Sequence, residues 1–585
     1  MFKRPLIAIS AAALALTTGL ALAKPARPVT KTPPSISAPI DPAHLSATVK
    51  TLASDDFEGR APGSPGETKT IAYLIARFKA LGLQPAGENG GWTQTVPLVH
   101  TQVAPDTTVW IGQLGEAAPY KLIAQLTQSR EIYIKGVRPQ DRIKMENAPL
   151  VFVGYGVSAP ERLVDGKRWD DFKDVDLHGK VAVFLINDPD FEAEPGTTLA
   201  GKFGGRAMTY YGRWTYKFEE AGRRGAVGAI IIHETPGAGY GWSTVIAPAG
   251  EDFDVVRPAT GPGGTAERTP VSGWMTRDTA VALFKAAGID FEAAKRAARQ
   301  SDFRPMDLGG LVMTADIHVT HAEVESHNVL AKLPGAKRPG ESVMYSAHWD
   351  AYGVAPTPGP KGEKVIRYGA NDDGLGVAGL FEVARAYKAA PRTDRTIVFG
   401  VWTAEERGLL GSEYWGAHPT VPLETMAANY TIDVLQTAGP AHDLVLIGAG
   451  QNELETGLAK AAAAQGRTIT PDAKPERGLF YRADHFSLAK RGVPVLLIMG
   501  IGGGADLVTG GRDAGDKWVS DYTAHCYHQA CDAWSADWDL RGAAQDVAAI
   551  YDAGRVVANS KGWPRWNAGS EFAGVRERSA GRRRS

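Results

Sequence analysis

From Ser326 onward, apolar strands alternate with helices, and chemically reactive side chains follow directly after the strands. The residues in these positions are His348, Glu405, Glu406 and Asp433. This βαβ rhythm predicts a largely parallel or mixed sheet covered by helices. Sites in such folds form at the carboxyl ends of the strands. The sequence therefore predicts an α/β fold with a histidine and several carboxylates gathered at one edge of a sheet.

Pairs of adjacent acids strengthen this interpretation. Asp372 and Asp373 follow a Gly-Ala-Asn turn just before a helix, where a single aspartate would be an ordinary N-cap. Two neighbouring carboxylates repel each other unless a cation is near. Glu405 and Glu406 come directly off a buried strand, so one can bind a metal ion. Burial can raise the pKa of the other, which then moves protons.

Two histidines complete the set of candidate ligands. His348 and Asp350 are two apart at a strand end, so their side chains leave the same face. Asp350 can then accept the imidazole N–H and fix the tautomer of His348. His485 precedes a short helix and, like Asp433, would be read as structural if it stood alone.

The joint pattern indicates a metal centre. Two histidines and three carboxylates suit zinc, which takes nitrogen and oxygen ligands in open catalytic sites. Charge also balances, because two Zn²⁺ ions offset three ligand carboxylates and one hydroxide. Such a pair, ~3.5–4 Å apart, can lower the pKa of water and polarise a carbonyl. We therefore expect two Zn²⁺ ions as cofactors.

The chain resembles the M28 family of zinc aminopeptidases, in the form with an inserted protease-associated (PA) domain. The resemblance covers roughly Leu45 to Ala558, with the strand-rich middle similar to the PA insertion. The matching motifs are Phe57-Glu58-Gly59-Arg60, His348-x-Asp350, Gly369-Ala370-Asn371-Asp372-Asp373-Gly374, Thr403-Ala404-Glu405-Glu406-x-Gly408, Asp433, and Asp484-His485 with Gly492-Val493-Pro494.

This resemblance implies a fold of the zinc exopeptidase (phosphorylase/hydrolase-like) type and a role for each candidate residue. Asp372 would bridge two zinc ions. His348 and Asp433 would complete one metal site, and Glu406 and His485 the other.

Three further residues receive roles from the same resemblance. Glu405 would be the general base that activates a bridging water and then protonates the leaving amine. Asp350 would orient a ligand, and Tyr481 would direct its phenol toward the substrate oxyanion. The implied activity is removal of N-terminal residues from peptides.

One stretch departs from the family pattern. A glycine-rich excursion from Gly500 to Thr523 precedes Tyr527-His528-Gln529-Ala530-Cys531-Asp532, and we expect it to form a mobile rim of the cleft. The role of His528 stays open. Cys526 and Cys531 are the two cysteines of the chain, and an exported protein could join them in a local disulfide.

The domain organisation follows from changes in composition along the chain. Lys3 and Arg4 precede an apolar run, and Ala21-Leu22-Ala23 offers a cleavage site, so we predict a signal peptide and a periplasmic or secreted protein. The predicted divisions are 1–23 signal peptide, 24–43 flexible leader, 44–110 N-terminal part of the peptidase domain, 111–318 β-rich insertion with a PA-like domain, 319–562 metal-binding core and 563–585 disordered basic tail.

Charge and length limit the partners. The 585 residues carry a formal net charge of −1, which gives no bulk electrostatic support for a nucleic-acid partner. No stretch after the signal is apolar enough to span a bilayer, so we expect no membrane association of the mature form. Peptides are the expected substrates, and the sequence does not determine the oligomeric state.

Three other functions compete with an aminopeptidase. A carboxypeptidase or dipeptidase on the same centre would need a basic residue for the substrate carboxylate, and Arg60 and Arg482 are candidates. An acyl-cyclising enzyme such as glutaminyl cyclase would use one zinc ion, which the five-ligand set disfavours. A non-catalytic binding module on this fold would be expected to lack ligands, and none is missing.

Overall fold

The computed structural model describes residues 40–114, 120–136, 138–260, 264–355 and 358–583. The predicted signal peptide and nearly all of the predicted leader lie outside these residues. Within them, no helix is long and apolar enough to cross a membrane.

The first described elements are two capped helices. Asp41 accepts a hydrogen bond from the Ala43 N–H at 2.9 Å, and Ser64 accepts one from Glu67 N–H at 3.3 Å. Both helices begin with proline, whose missing N–H is not needed at that position. The elements of this part are α1 (Pro42–Leu52), α2 (Pro65–Ala80), β1 (Gln84–Pro85) and β2 (Thr93–Val103).

A β-rich region follows. It contains the strands expected from the apolar runs near residues 151, 181 and 228, although the first of these ends at Phe152. Its elements are β3 (Thr108–Gln113), β4 (Lys121–Thr127), β5 (Ile132–Lys135), β6 (Arg142–Phe152), β7 (Ser158–Val164), β8 (Lys167–Asp170), β9 (Val181–Leu185), α3 (Trp214–Arg223), β10 (Gly228–His233), α4 (Thr235–Ala238), α5 (Trp242–Ile246), β11 (Glu251–Val255), β12 (Val271–Thr276), α6 (Arg277–Ala286) and α7 (Phe291–Ala297).

One long strand, β13 (Met306–Leu333), joins this region to the C-terminal half. Its first part pairs with β3 and β6 in one sheet, and its second part pairs with β2 in the other. In the first sheet, β6, β9, β10 and β12 run parallel to one another. The β-rich region therefore has its own mixed sheet with a parallel part, and β13 carries the chain out of it.

The C-terminal half alternates strands and helices, as its sequence predicts. Its elements are β14 (Arg338–His348), β15 (Gly353–Val354), β16 (Ile366–Arg367), α8 (Leu375–Ala389), β17 (Arg395–Trp402), α9 (Leu410–Ala417), β18 (Met426–Ile432), β19 (Asp443–Ile447), α10 (Leu454–Ala464), β20 (Thr468–Pro471), α11 (His485–Ala489), β21 (Val495–Ile498), α12 (Gly511–Asp521), α13 (Arg541–Asn559) and α14 (Ala573–Arg578).

The sheet of this half has parallel strands at its centre. The order β17, β14, β18, β21 is parallel throughout, while β13 and β19 pair antiparallel on either side. Every residue of β17, β18 and β21 is buried, because helices such as α8 and α13 pack on the sheet. The predicted α/β class, with a mostly parallel sheet flanked by helices, is confirmed.

Two local predictions are wrong. The tail expected to be disordered forms α14, and Trp566, Phe572 and Arg576 in it are buried against the rest of the chain. The basic residues at the end of this segment led to the prediction of disorder, although the segment also contains apolar residues that pack against the rest of the chain. The glycine-rich excursion contains the 11-residue helix α12, so it is not simply a loop.

Candidate metal centre

A first group of ligand atoms comes from the ends of two adjacent parallel strands and a nearby loop. His348 is the last residue of β14, and Asp433 directly follows β18. His348 Nε2 lies 3.2 Å from Asp372 Oδ1 and 3.8 Å from Asp433 Oδ1. All three residues are buried. The structure thus brings together three residues that the sequence analysis named as candidate ligands.

A second group shares Asp372. His528 Nε2 lies 3.4 Å from Asp372 Oδ2 and 3.1 Å from Glu406 Oε2. The ligand atoms in each group all lie within 4.8 Å of one another. The two carboxylate oxygens of Asp372 therefore face two different histidines, which is the arrangement of a bridging carboxylate.

Backbone hydrogen bonds hold Asp372 in this position. The carboxylate of Asp532 accepts from the N–H groups of Asn371 and Asp372, each at 3.0 Å. Burial raises the pKa of Asp532 to about 7. Asp532 thus fixes the turn that presents Asp372, although it touches neither histidine.

Glu405 lies beside the first group. Its Oε2 is 3.8 Å from His348 Nε2, and its backbone N–H donates to Asp350 Oδ1 at 3.0 Å. Asp350 Oδ1 is also 3.5 Å from His348 Nδ1, whose closer neighbour is the backbone carbonyl of Asp350 at 3.1 Å. Asp350 therefore contacts both the histidine and the segment that carries Glu405.

The electrostatics of the cluster are those of crowded carboxylates. Burial raises the pKa of Glu405 well above its ordinary value; His348 opposes this, and Asp433, Asp484 and Glu406 reinforce it. Burial alone would lower the pKa of His348, but the surrounding carboxylates, led by Glu405, raise it well above the usual range. Burial would also raise the pKa of Asp372, yet hydrogen bonds from the two histidines leave it lowered.

The donor set fits zinc. Within the described residues, no lysine or arginine lies within 4.0 Å of a carboxylate oxygen of Asp372, Glu405, Glu406 or Asp433. Buried carboxylates without such a partner are stabilised by protonation or by a positive charge of another kind, such as a metal ion. Imidazole nitrogen and carboxylate oxygen are ligands that zinc accepts, so these residues form a metal site suited to it.

His485 is not part of this site, and its predicted role as a ligand is wrong. It is fully buried at the start of α11, with its ring centroid 4.8 Å from that of Phe480 in an edge-on contact. Burial lowers its pKa to about 3, so the ring is neutral. It belongs to neither group of ligand atoms. The ring packs edge-on against Phe480, and both of its nitrogens are buried without a hydrogen-bond partner among the described residues.

His528 takes the place expected for His485. It stands in the Tyr527-His528-x-x-x-Asp532 segment, and the spacing of this motif is the sequence signal that could have identified His528. Asp532 of the same segment accepts a hydrogen bond from the Asp372 N–H. A disulfide joins Cys526 to Cys531 and encloses His528 in a short loop. The backbone φ of His528 is +64°, a conformation that non-glycine residues adopt mainly where the surrounding structure enforces it.

Tyr481 lines the adjoining cavity, but its hydroxyl has another partner. It donates to Glu571 Oε1 at 2.7 Å. The Tyr481 hydroxyl, which the sequence analysis directed toward a substrate oxyanion, therefore already donates its hydrogen bond to the Glu571 carboxylate. The hydroxyl of Tyr527, 3.4 Å from the Arg482 guanidinium, also lines the cavity.

A cavity of about 620 Å³ opens in front of the centre. Glu405, Glu406 and His528 form part of its wall, and residues of the β-rich region such as Tyr240 and Trp274 form another part. A volume of this order accommodates a short peptide or another small molecule. Glu405 and Glu406 therefore face a space that a ligand can enter.

Comparison with known proteins agrees with this arrangement. Residues 328–551 match the model of peptidase family M28. Carboxypeptidase Q of Xenopus laevis is 27% identical over 203 residues, which are 33% of this chain and 39% of that protein. Leupeptin-inactivating enzyme 1 of Streptomyces exfoliatus is 25% identical over 233 residues, 39% of this chain and 48% of that protein. The chain thus spans less than half the length of these two relatives.

Two solved structures are among those that are similar to this chain. An aminopeptidase from Aneurinibacillus sp. strain AM-1 superposes with a TM-score of 0.48 and 19% identity, covering 89% of this chain and 94% of that one. A zinc aminopeptidase from Bacillus subtilis gives a TM-score of 0.41 and 17% identity, covering 88% and 95% of the two chains.

The sheet and its histidine–carboxylate cluster define an α/β protein with a candidate metal centre. The matched residues include His348, Asp372, Glu405, Glu406, Asp433 and His528. Residues 328–551 are thus similar to peptidase family M28.

Proposed function

We propose that this protein is an exported metal-dependent exopeptidase that removes N-terminal residues from peptides and holds two zinc ions. The observation that carries the proposal is the position of Asp372, with Oδ1 3.2 Å from one histidine and Oδ2 3.4 Å from another. His348 and Asp433 would hold one ion, and Glu406 and His528 the other. Zinc bound there would polarise the scissile carbonyl and make a water more acidic.

Glu405 would move the proton in this reaction. Its carboxylate lies at the cavity wall beside the first group, and burial raises its pKa well above the ordinary value. A carboxylate of raised pKa can take a proton from the attacking water and give it to the leaving amine. The hydrogen bond from the Glu405 N–H to Asp350 would hold the backbone of Glu405 in place beside the metal centre.

Export and a peptide substrate are parts of the same proposal. The basic and apolar N-terminal segment with its Ala21-Leu22-Ala23 site supports passage to the periplasm or the exterior. The family match supports peptides as substrates. The β-rich region would act as a PA-like insertion that closes one side of the cavity.

The carboxypeptidase or dipeptidase alternative now depends on one of its two candidate arginines. Arg60 is fully buried, and its guanidinium donates to the carbonyls of Leu52, Trp349, Tyr368 and Gly369. It is fully used in holding these backbone segments together. Arg482 lines the cavity and stays available to a substrate carboxylate.

The deciding experiment compares one short peptide with a free N-terminus and the same peptide with an acetylated N-terminus. Each is incubated with the zinc-loaded protein and with the chelated protein. Zinc-dependent release of the first residue from the free peptide alone is the expected result. Release of the last residue from both peptides would instead establish a carboxypeptidase, and no cleavage by a protein that still binds two zinc ions would support a binding module.

Glu405→Gln tests the proton-transfer role separately. We expect turnover to fall about 10²- to 10⁴-fold, as for removal of a general base, while the bound metal stays the same. Glu453→Gln is a matched control because Glu453 is an exposed side chain paired with Arg565 on the surface. Near-normal turnover of the Glu405 variant would contradict the assignment.

A further inference from the structure

The cavity next to the centre contains two arginines that have no acidic side chain within 4.0 Å among the described residues. Eight lysine and arginine side chains line it, and six of them lie within 4.0 Å of an acidic side chain. These six are Lys135, Arg223, Arg257, Arg268, Arg407 and Lys490. The other two, Arg213 and Arg482, have no acidic side chain within that distance in the part of the chain that the structure describes.

Arg213 is the more unusual of the two. It stands just before α3 in the β-rich region and is only 6% exposed. Its Nε is buried and has no hydrogen-bond partner among the described residues. Burying a guanidinium without pairing it costs free energy, so such a group indicates a ligand that is itself charged. The neighbouring ring of Trp214, 5.8 Å from the guanidinium carbon, is a weak substitute.

Arg482 approaches the same space from the metal-binding half. Its guanidinium makes a 3.4 Å contact with the Tyr527 hydroxyl and lies 5.9 Å from the centre of the Tyr240 ring. Burial lowers the pKa of Arg213 to about 10, and repulsion from Arg482 adds to this effect. Two cations that repel each other across one cavity would both be stabilised by an anion between them.

We propose that Arg213 and Arg482 form a subsite that binds a carboxylate of the substrate. A planar guanidinium binds a carboxylate through two parallel hydrogen bonds, and two arginines can grip it from both sides. The carboxylate is either the C-terminus of a short peptide or an acidic side chain. This inference rests on the proposed exopeptidase function and adds the class of substrate: peptides with a negative charge close to the scissile bond.

The position of the pair supports this restriction. Arg482, Glu405 and His528 line the same cavity, so a carboxylate at the arginines would lie in the same space as the reacting bond. Arg213 belongs to the β-rich region and Arg482 to the metal-binding half. The β-rich region and the metal-binding half would therefore both contact the substrate carboxylate. The β-rich region would in this way contribute to substrate specificity.

The test uses four peptides and the full-length protein. One pair is a dipeptide with a free C-terminus and the same dipeptide with an amidated C-terminus. The other pair is two amidated dipeptides that begin with Glu or with Gln. The ratio of kcat/KM within each pair is measured for the wild type, Arg213→Leu, and Arg142→Leu. Arg142 is a suitable control because it is an exposed arginine of the β-rich region, paired with Asp316, outside the cavity.

For the wild type we expect the carboxylate-bearing member of one pair to be favoured. The free-acid pair would identify the C-terminus as the source, and the Glu/Gln pair would identify the side chain. Arg213→Leu should reduce that ratio roughly 10- to 100-fold, the usual worth of a hydrogen bond to a charged group, mainly through KM. Arg142→Leu should keep the wild-type ratio. Equal ratios in the wild type and in Arg213→Leu would overturn the subsite.

Two additions keep the test decisive. Equilibrium binding of the same peptides to the Glu405→Gln protein, measured by calorimetry, tests the subsite without turnover. If the wild type cleaves none of the peptides but still binds the carboxylate-bearing one more tightly, the proposed function fails and the subsite stands. If Arg213→Leu does not fold, Arg213→Lys takes its place; it keeps the charge but loses the paired hydrogen bonds, and an unchanged ratio would again overturn the proposal.

Discussion

The two groups of candidate metal ligands share Asp372 but are built in different ways. In the first, His348 and Asp433 stand at the ends of adjacent parallel strands and are almost completely buried. In the second, Glu406 follows a strand, but His528 comes from a disulfide-closed loop and keeps 24% of its side chain exposed. The sequence analysis named every residue of the first group and missed His528 of the second. Ligands that follow strands can be read from the chain, whereas a ligand supplied by a loop depends on how that loop folds back.

Removing Asp372 should have the largest effect, because both groups need it. We expect Asp372→Ala to lose both metal ions and all measurable peptidase activity, since each ion would lose its bridging ligand. Metal analysis after dialysis measures this, with Asp106→Ala, an exposed aspartate between β2 and β3, as control. Retention of one full metal equivalent would show that the two groups do not share this carboxylate.

Removing the histidine of the second group should affect one ion only. His528→Ala is expected to halve the bound metal, because His348 and Asp433 still hold the other ion. His485→Phe is the matched control: it replaces a buried neutral ring that packs against Phe480 and should leave the metal content unchanged. Loss of metal from the His485 variant, with none lost from the His528 variant, would instead support His485 as the ligand, as the sequence analysis predicted.

Asp532→Asn should have a smaller effect on both groups. The amide oxygen can accept one of the two backbone hydrogen bonds that now end on the carboxylate, so the turn that carries Asp372 loosens without losing a ligand. Residues that orient ligands typically contribute 10- to 100-fold in metal affinity, and we expect a loss of about that size. Competition with a zinc chelator measures it. An affinity equal to that of the wild type would mean that the turn is held by other contacts.

Removing the disulfide should have the smallest effect, and it should affect metal binding by the second group only. Replacing both cysteines by serine leaves every ligand in place but frees the loop around His528. Closing so short a loop contributes only a modest entropy. We therefore expect the affinity for the second ion to fall by at most about tenfold. The first ion should be unaffected. Equal weakening of both ions in a chelator titration would show that the loop supports the whole centre.

Much of the fold could be predicted because its signals are local. Buried parallel strands appear as short apolar runs, and β17, β18 and β21 lie where such runs stand in the sequence. The helix α12 was missed because glycines surround it, and the ordered C-terminal segment was missed because its basic residues outweighed Trp566 and Phe572. In both cases contacts with distant parts of the chain decided the outcome.

The sequence by itself determined the α/β class, the first group of ligands and the general base candidate. These features depend on the order of strands and on residues that follow them directly, and both are written along the chain. Only the tertiary structure decided between His485 and His528, gave the Tyr481 hydroxyl to Glu571 and brought Arg213 into the cavity that Arg482 lines. The physical reason is that burial, pairing and ligand geometry depend on distances between residues far apart in the chain, and sequence spacing carries no measure of those distances.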